Sequence, residues 1–326
     1  MNTLYGDISP RTAAFVVVQL LTRGMPYLLL EQFGSSKPLP SGKSLSMKFR
    51  RYLSLPLATT PLSEGVTPVS KKLSSEDITM TLSQYGDVVE ITDVILDAHE
   101  DPILQETETL LGEQAAKTIE TMRYYILRAG TNVQYANGAL RTSVNTAINT
   151  TMQRKITRNF KRQNAEKITT KVSSTPSFNT ESVLPAFIAI GHTDLEADIR
   201  GMTNFTDVKD YGSTPAYTCE VGAVDDVRYL LSSIYGPWAD AGAAKGAMIS
   251  TSAVLADVYP VLYLARNAYA ISALKGEFAI TPIVINPAPS KTDPLGQRGS
   301  VGWKTMQGVV ILNDMWMCRG EVACTE

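Results

Sequence analysis

Four groups of residues in this 326-residue chain have types and spacings that could do chemistry, and each can be tested against what that chemistry requires. Ser41-Gly42-Lys43-Ser44 has the ending of a phosphate-binding loop, in which backbone N–H groups and a helix N-terminus cradle phosphate. Such a loop needs a glycine five residues before Gly42, where this chain has Lys37, and a helix afterwards, where an alternating strand pattern follows. The histidines, His99 and His192, stand far apart. His192 precedes Asp194, yet no Gly-x-Ser-x-Gly turn presents a nucleophile, and a capping pattern at Thr193 and Glu196 accounts for the neighbourhood. Asp97, Glu100 and Asp101 fit neither a calcium loop nor a zinc set and are placed to start a helix. Cys219, Cys318 and Cys324 form no metal spacing or disulfide framework, which points to a reducing compartment and to packing roles. These residues therefore predict no catalytic centre, no bound metal and no cofactor.

Two further stretches have surface chemistry. Residues 150–168 read as a helix with a narrow apolar stripe, Met152, Ile156 and Phe160, and a strongly basic remainder, Arg154, Lys155, Arg158, Lys161, Arg162 and Lys167. Two readings stay open: a solvated face, or a DNA-facing patch acting through sequence-independent phosphate neutralisation. In residues 293–306, DPLGQRGSVGWKTM, Asp293, Pro294, Gly296, Gly299 and Gly302 punctuate the chain, Arg298 and Lys304 offer donors, and Trp303 offers an anchor. That composition predicts a structured surface loop at an interface, ahead of a terminal strand from Gly308.

The elements that position these residues begin with one long helix, predicted over residues 102–129. Asp101 is its N-cap, Pro102 its first residue and Gly130 its stop. Leu104, Leu111, Ala115, Ile119, Met122 and Ile126 fall on one face, with Tyr125 at its margin, while Glu106, Glu113, Lys117, Glu120 and Arg128 lie elsewhere. At roughly 42 Å such a helix is a spine rather than an ordinary core helix. Before it, residues 44–57 alternate, with Leu45, Met47, Phe49, Leu53, Leu55 and Leu57 on one side and Arg51 as the polar break. Residues 77–91 alternate again, with a phase shift near Tyr85 and Gly86 that reads as a bulge. The two strands are predicted to pair as a long hairpin around the polar stretch 58–76, and two strands alone cannot bury their apolar side chains, so the ribbon calls for a neighbouring subunit. Residues 1–40 read as an extended arm with a short helix near 11–22.

Beyond residue 183 the pattern is mixed α/β. Strands are predicted at 186–190, 227–231, 261–265, 278–285 and 309–317, with a helix at 194–200, and Pro282 pushes its strand toward a sheet edge. Composition agrees with a chain that buries a sizeable core: 44% hydrophobic, 19% charged, formal net charge −2. That charge argues against a surface wholly committed to nucleic acid, and the apolar run 13–21 is too short to span a membrane.

The order of these parts resembles the major capsid protein family of tailed bacteriophages, in particular the N4-like podovirus coat proteins. The resemblance is carried by Glu64-Gly65-Val66-Thr67-Pro68, the long helix, Asp257-Val258-Tyr259-Pro260, and above all Asp293-Pro294-Leu295-Gly296-Gln297-Arg298-Gly299 with Gly302-Trp303-Lys304. It implies an α+β fold with an N-terminal arm (1–40), an extended hairpin loop (41–92), a peripheral domain with the spine helix (93–143), an axial domain (144–291) and a return to the peripheral domain (292–326). It also implies hexamers and pentamers of an icosahedral virion shell around double-stranded DNA, assembled in the host cytoplasm with a portal and with scaffolding or decoration proteins, and involving no membrane. A cellular nanocompartment shell of the same fold, and a cytosolic α/β enzyme with a concave polar pocket, are the rival readings.

Overall fold

The computed structural model describes residues 28–37, 39, 44–61, 64, 65, 67, 70–92, 103–173, 179–212, 215–273, 280–285, 289 and 294–326. The helix expected near 11–22, Ser41 to Lys43, Val66, Pro68, Asp97, His99, Glu100, Asp101, Pro102 and Asp293 lie outside the described residues.

The first strands are β1 (Ser35–Ser36), β2 (Ser46–Tyr52), β3 (Ser75–Thr81) and β4 (Ser83–Thr92), followed by the spine helix α1 (Ile103–Leu127) and β5 (Val133–Tyr135). The basic helix α2 (Thr150–Arg162) is followed by β6 (Ile168–Ser173), β7 (Asn179–Gly191), a one-turn helix (Glu196–Arg200), β8 (Phe205–Asp207), β9 (Glu220–Val224) and β10 (Val227–Leu231). The chain closes with β11 (Tyr259–Leu264), β12 (Tyr269–Ala273), β13 (Thr281–Ile285), β14 (Arg298–Ile311) and β15 (Met317–Val322). They form an eight-stranded sheet ordered β5-β15-β11-β7-β10-β9-β8 with β6 on β7, a five-stranded sheet ordered β1-β12-β14-β13 with β4 on β14, and a separate β2-β3 ribbon.

The eight-stranded sheet is covered on both faces, which is why its strands read as continuous apolar runs rather than alternating ones. Phe187, Ala189, Tyr229, Val261 and Tyr263 pack against Met152, Ile156 and Phe160 of α2. Their neighbours Ile188, Ile190, Leu230, Leu262 and Leu264 face the opposite way, against Leu29, Leu30, Tyr124 and Leu127. In the smaller sheet Ile91, Val301 and Trp303 receive Leu111 and Ala115 of α1. Among the described residues β13, which carries Pro282, pairs with β14 alone, an edge position.

Several sequence expectations are corrected here. Residues 77–91 are two strands, not one bulged strand: the chain leaves the ribbon at Leu82, whose N–H donates to Leu45 O at 2.8 Å, and β4 pairs with β14 instead. Residues 298–306 are not loop but the first part of β14, the central strand of its sheet. Gly302 does not punctuate a turn; a Cβ there would stand 2.7 Å from Asp87 O, so glycine lets β4 and β14 approach. The strand expected over 309–317 is broken by Asn313, whose side chain accepts from Met315 N–H and caps the turn Asp314–Trp316, after which β15 joins the other sheet. Helix α2 stops at Arg162, so Lys167 is off it and Ile168 is buried in β6. On α1, Ile126 is exposed rather than on the core face, and Glu120 is fully buried rather than on the polar face. The one-turn helix is preceded by a turn at Thr193–Leu195 capped by His192, not by Thr193.

Candidate assembly surfaces

The ribbon is the most unusual surface. β2 and β3 pair from Ser46↔Thr81 to Tyr52↔Ser75, and the cross-strand ion pairs Arg50–Asp77 (2.7 Å) and Arg51–Glu76 (2.6 Å) match that register. The Arg50 hydrogen bond holds the Asp77 carboxyl below its ordinary value. At its base Met47 and Phe49 lean on Leu39, Met80 and Leu82, so this end belongs to the body. Farther out, Tyr52, Leu53, Leu55, Leu57 and Leu73 are exposed, Leu57 at 87%. Glu64, Gly65 and Thr67 lie in the exposed tip, where Gly65 takes a positive φ of 75° that suits glycine.

The residues expected to share an interface loop are separated by the strand they belong to. Trp303 is buried, its Nε1 donating to Gln114 Oε1 of α1 at 3.3 Å, so it ties sheet to spine. Pro294, Arg298 and Lys304 remain exposed. Strand alternation decides the split between Trp303 and Lys304, since successive side chains leave opposite faces.

On α2 the basic residues divide. Asn149 caps the helix by accepting from Met152 N–H at 2.8 Å. Arg154 pairs with Asp225 at 3.0 Å and Lys161 with Asp226 at 2.5 Å, while Lys167 of the following segment also reaches Asp226 at 2.9 Å. Asp225 is held below its ordinary value by Asn204 and Arg154, and Asp226 by Lys161 and Lys167. Lys155, Arg158 and Arg162 are exposed, make no ion pair among the described residues, and fall on one helix face by their three- and four-residue spacing. The aspartates that neutralise the rest were missed at the sequence level. Their signal was legible as Val221–Val224, two acidic residues, then Val227–Leu231, the form of a two-residue hairpin turn.

Among the described residues no catalytic geometry emerges. His192 Nδ1 accepts from Asp194 N–H at 3.2 Å and acts as a cap, and the Asp194 carboxylate accepts from Tyr259 OH at 2.8 Å. Cys318 and Cys324 are buried, with burial pushing both thiols up to about 12, whereas Cys219 is exposed rather than a packing residue. Among the described residues no cluster of three His, Cys, Asp or Glu side chains could hold a metal. A shallow trough of about 410 Å³ on the small sheet is lined by Gly86, Val88, Ile283, Ile285, Ser300, Gly302, Trp303 and a single carboxylate, Asp87. Among the described residues no second titratable group lines it.

A well-packed body carrying a protruding apolar ribbon has the form of a structural protein that works by association. Comparison with known proteins gives that class its family. The profile of the phage capsid protein family matches residues 75–318, and the chain belongs to that family. The structure is similar to the capsid of cyanophage Pam1 (TM-score 0.67, 12% identity, covering 94% of this chain and 93% of that one). It is likewise similar to the capsid of Ralstonia phage GP4 (0.64, 11%, 90% and 87%) and to that of cyanophage P-SCSP1u (0.59, 14%, 91% and 88%). No curated protein matches the chain by sequence. Family and fold together make it a major capsid protein, a non-enzymatic subunit of an icosahedral virion shell.

Proposed function

We propose that the chain builds hexamers and pentamers around double-stranded DNA, each ribbon lying over an adjacent subunit. The observation that carries this is the row Leu53, Leu55, Leu57 and Leu73, exposed on an arm that has no core of its own. Isolated apolar side chains on a surface need no explanation, but a row of leucines along one extended arm marks a contact. The tip, Glu64, Gly65, Val66, Thr67 and Pro68, reaches the neighbour, and Asp293, Pro294, Arg298 and Lys304 line a second contact at the start of β14. Residues 1–40, 41–92, 93–143, 144–291 and 292–326 serve as arm, loop, peripheral domain, axial domain and return.

The interior face is marked by α2, with Lys155, Arg158 and Arg162 free to meet phosphate and Arg154 and Lys161 shared with Asp225 and Asp226. The same reading places the chain in the N4-like podovirus branch, on the segment from Asp293 to Lys304, and gives it a portal and scaffolding or decoration proteins as partners during assembly in the host cytoplasm. Electron microscopy of the purified protein, with a nuclease-protection assay on the particles, tests it. Closed shells that contain protected DNA are expected; closed shells that carry a protein cargo instead would favour a nanocompartment, and a monodisperse monomer at all concentrations would overturn the reading.

A further inference from the structure

Three arginines from separate segments of the chain meet on one indole ring. The guanidinium carbons of Arg141, Arg128 and Arg319 stand 3.6, 4.8 and 5.6 Å from the centroid of Trp238. Like charges so gathered repel one another, and a folded chain tolerates them where carboxylates or aromatic faces offset the repulsion. The carboxylate here is Glu321 of β15, whose side chain is fully buried. Arg141 grips it twice, Nε to Oε2 and Nη2 to Oε1, each at 2.8 Å, and Arg319 Nε donates to Oε1 at 2.8 Å. Both oxygens are thereby spent on two of the three cations.

Arg319 has a further structural task, its Nη1 donating to Arg128 O and Gly130 O and tying off the end of α1. Arg128 is different, for among the described residues it has no carboxylate partner. The acids of the adjoining turns are committed elsewhere. Asp314 accepts from the N–H and hydroxyl of Thr131, and Asp240 from the Ser250 hydroxyl and Ser252 N–H. Arg128 is nevertheless held in place, its guanidinium 4.6 Å from the Tyr125 ring, 4.8 Å from Trp238 and 5.3 Å from Tyr124. A stacked guanidinium keeps its N–H fork at the edge of its plane, so stacking fixes the cation without spending its donors. One contact, to the Tyr124 hydroxyl, takes up part of that fork. An arginine that served solubility alone would keep its rotamer freedom in water. This one has given it up before an anion arrives, which lowers the cost of receiving one.

The surroundings indicate which kind of surface brings the anion. Tyr125 and Leu140 are exposed beside the two cations, and Arg141 and Trp238 are half-buried. Arginine and aromatic side chains with an apolar rim have the composition of a protein–protein contact. A phosphate backbone calls for further lysines and arginines where Tyr125 and Leu140 stand. The chain itself carries 32 acidic residues, so another copy can supply the counter-charge.

We propose that Arg128 and Arg141, packed on Trp238, form a docking point for an exposed carboxylate of a second copy of this chain. On the shell-building reading above, on which this rests, the contact lies at the C-terminal end of α1 and adds to that of the ribbon.

Two variants at Arg128 test the site, since no described carboxylate relies on it. Arg128→Gln should leave the denaturation midpoint near that of the parent and raise the concentration at which particles form about tenfold or more. It should also flatten the loss of assembly with added salt. Parental assembly at every salt concentration would overturn the docking point while leaving the shell reading, which the parent's own particles decide. A lowered midpoint that accounts for the whole loss of assembly would overturn it as well, making Arg128 a structural residue of the helix end. So would particles that form normally but lose protected DNA, which would assign the cations to phosphate. Arg128→Lys keeps the charge and supplies an amine for zero-length carbodiimide coupling within particles grown from mixed isotopically light and heavy subunits. Mass spectrometry should find position 128 joined to an Asp or Glu of another copy, seen as light–heavy pairs. Coupling confined to one copy, or none in assembled particles, would overturn the proposal, and this variant carries the test should Arg128→Gln fail to fold.

Discussion

Leucine does opposite work in two regions of this molecule. In the eight-stranded sheet Leu230, Leu262 and Leu264 are completely buried between a face of strands and the residues of α1 and of the segment 28–33. In the connection beyond the paired ribbon, after Tyr52 and before Ser75, Leu53, Leu55, Leu57 and Leu73 are exposed. The first set stabilises the chain on its own. The second removes its apolar surface from water only when another surface arrives, at roughly 25 cal/mol per Å². On the proposed reading such a subunit folds on its sheets, and assembly draws on surface that folding leaves unused.

The sharpest way to break that comparison is to remove the outer ribbon. Replacing residues 58–74 by a short turn, which stops before β3 begins at Ser75, should leave the far-UV circular dichroism and thermal midpoint of the subunit near parental while closed particles vanish from sedimentation profiles. Normal particles from that variant would show that the ribbon is not an assembly arm. The converse change is Leu262→Ala, which should cost about 2–5 kcal/mol of subunit stability through the cavity it leaves, read as a lowered denaturation midpoint. Leu57→Ala should stay within about 0.5 kcal/mol in the same assay, yet raise the concentration at which particles form.

The basic helix sharpens the comparison on a smaller scale. Neutralising Lys155, Arg158 and Arg162 together should weaken DNA retention in a salt-dependent way without lowering subunit stability, because no described carboxylate relies on them. Asp226→Asn should instead touch the subunit. The folded pKa of Asp226 is lowered by Lys161 and Lys167, so its contribution is present above 3.8 and lost as pH falls through the folded value. The variant's acid unfolding should therefore be less steep than the parent's at the low end. The smallest effect is expected at the Arg50–Asp77 pair on the exposed ribbon, where Asp77→Asn should leave the denaturation midpoint of the subunit near that of the parent.

How far the chain could be read in advance depended on how local the deciding physics was. The spine helix was legible because its period and its Gly130 stop are local. So were the buried strands at 227–231 and 186–190, where apolar runs end at turn residues. The stretch 293–306 misled for a definite reason: glycines at 299 and 302 are the same letters in a turn and in a strand whose neighbour comes close, and only the approach of Asp87 distinguishes the two. The division of the α2 cations was hidden likewise, since Asp225 and Asp226 lie about 70 residues away and reach the helix only across the β9–β10 turn.

By itself, then, the sequence determined the long helix, the alternation of the paired stretch 46–52 and the resemblance to phage coat proteins, whereas the strand expected to run on to Leu57 ends at Tyr52. The tertiary structure alone decided that β14 is a central strand, that Trp303 faces the spine while Lys304 faces solvent, and that Glu120 is buried under the strap 28–33. The physical reason is that strand pairing and the burial of a charge depend on contacts between residues far apart in sequence, here Gly302 with Val88 and Glu120 with Leu30, and no local period records which distant backbone will arrive.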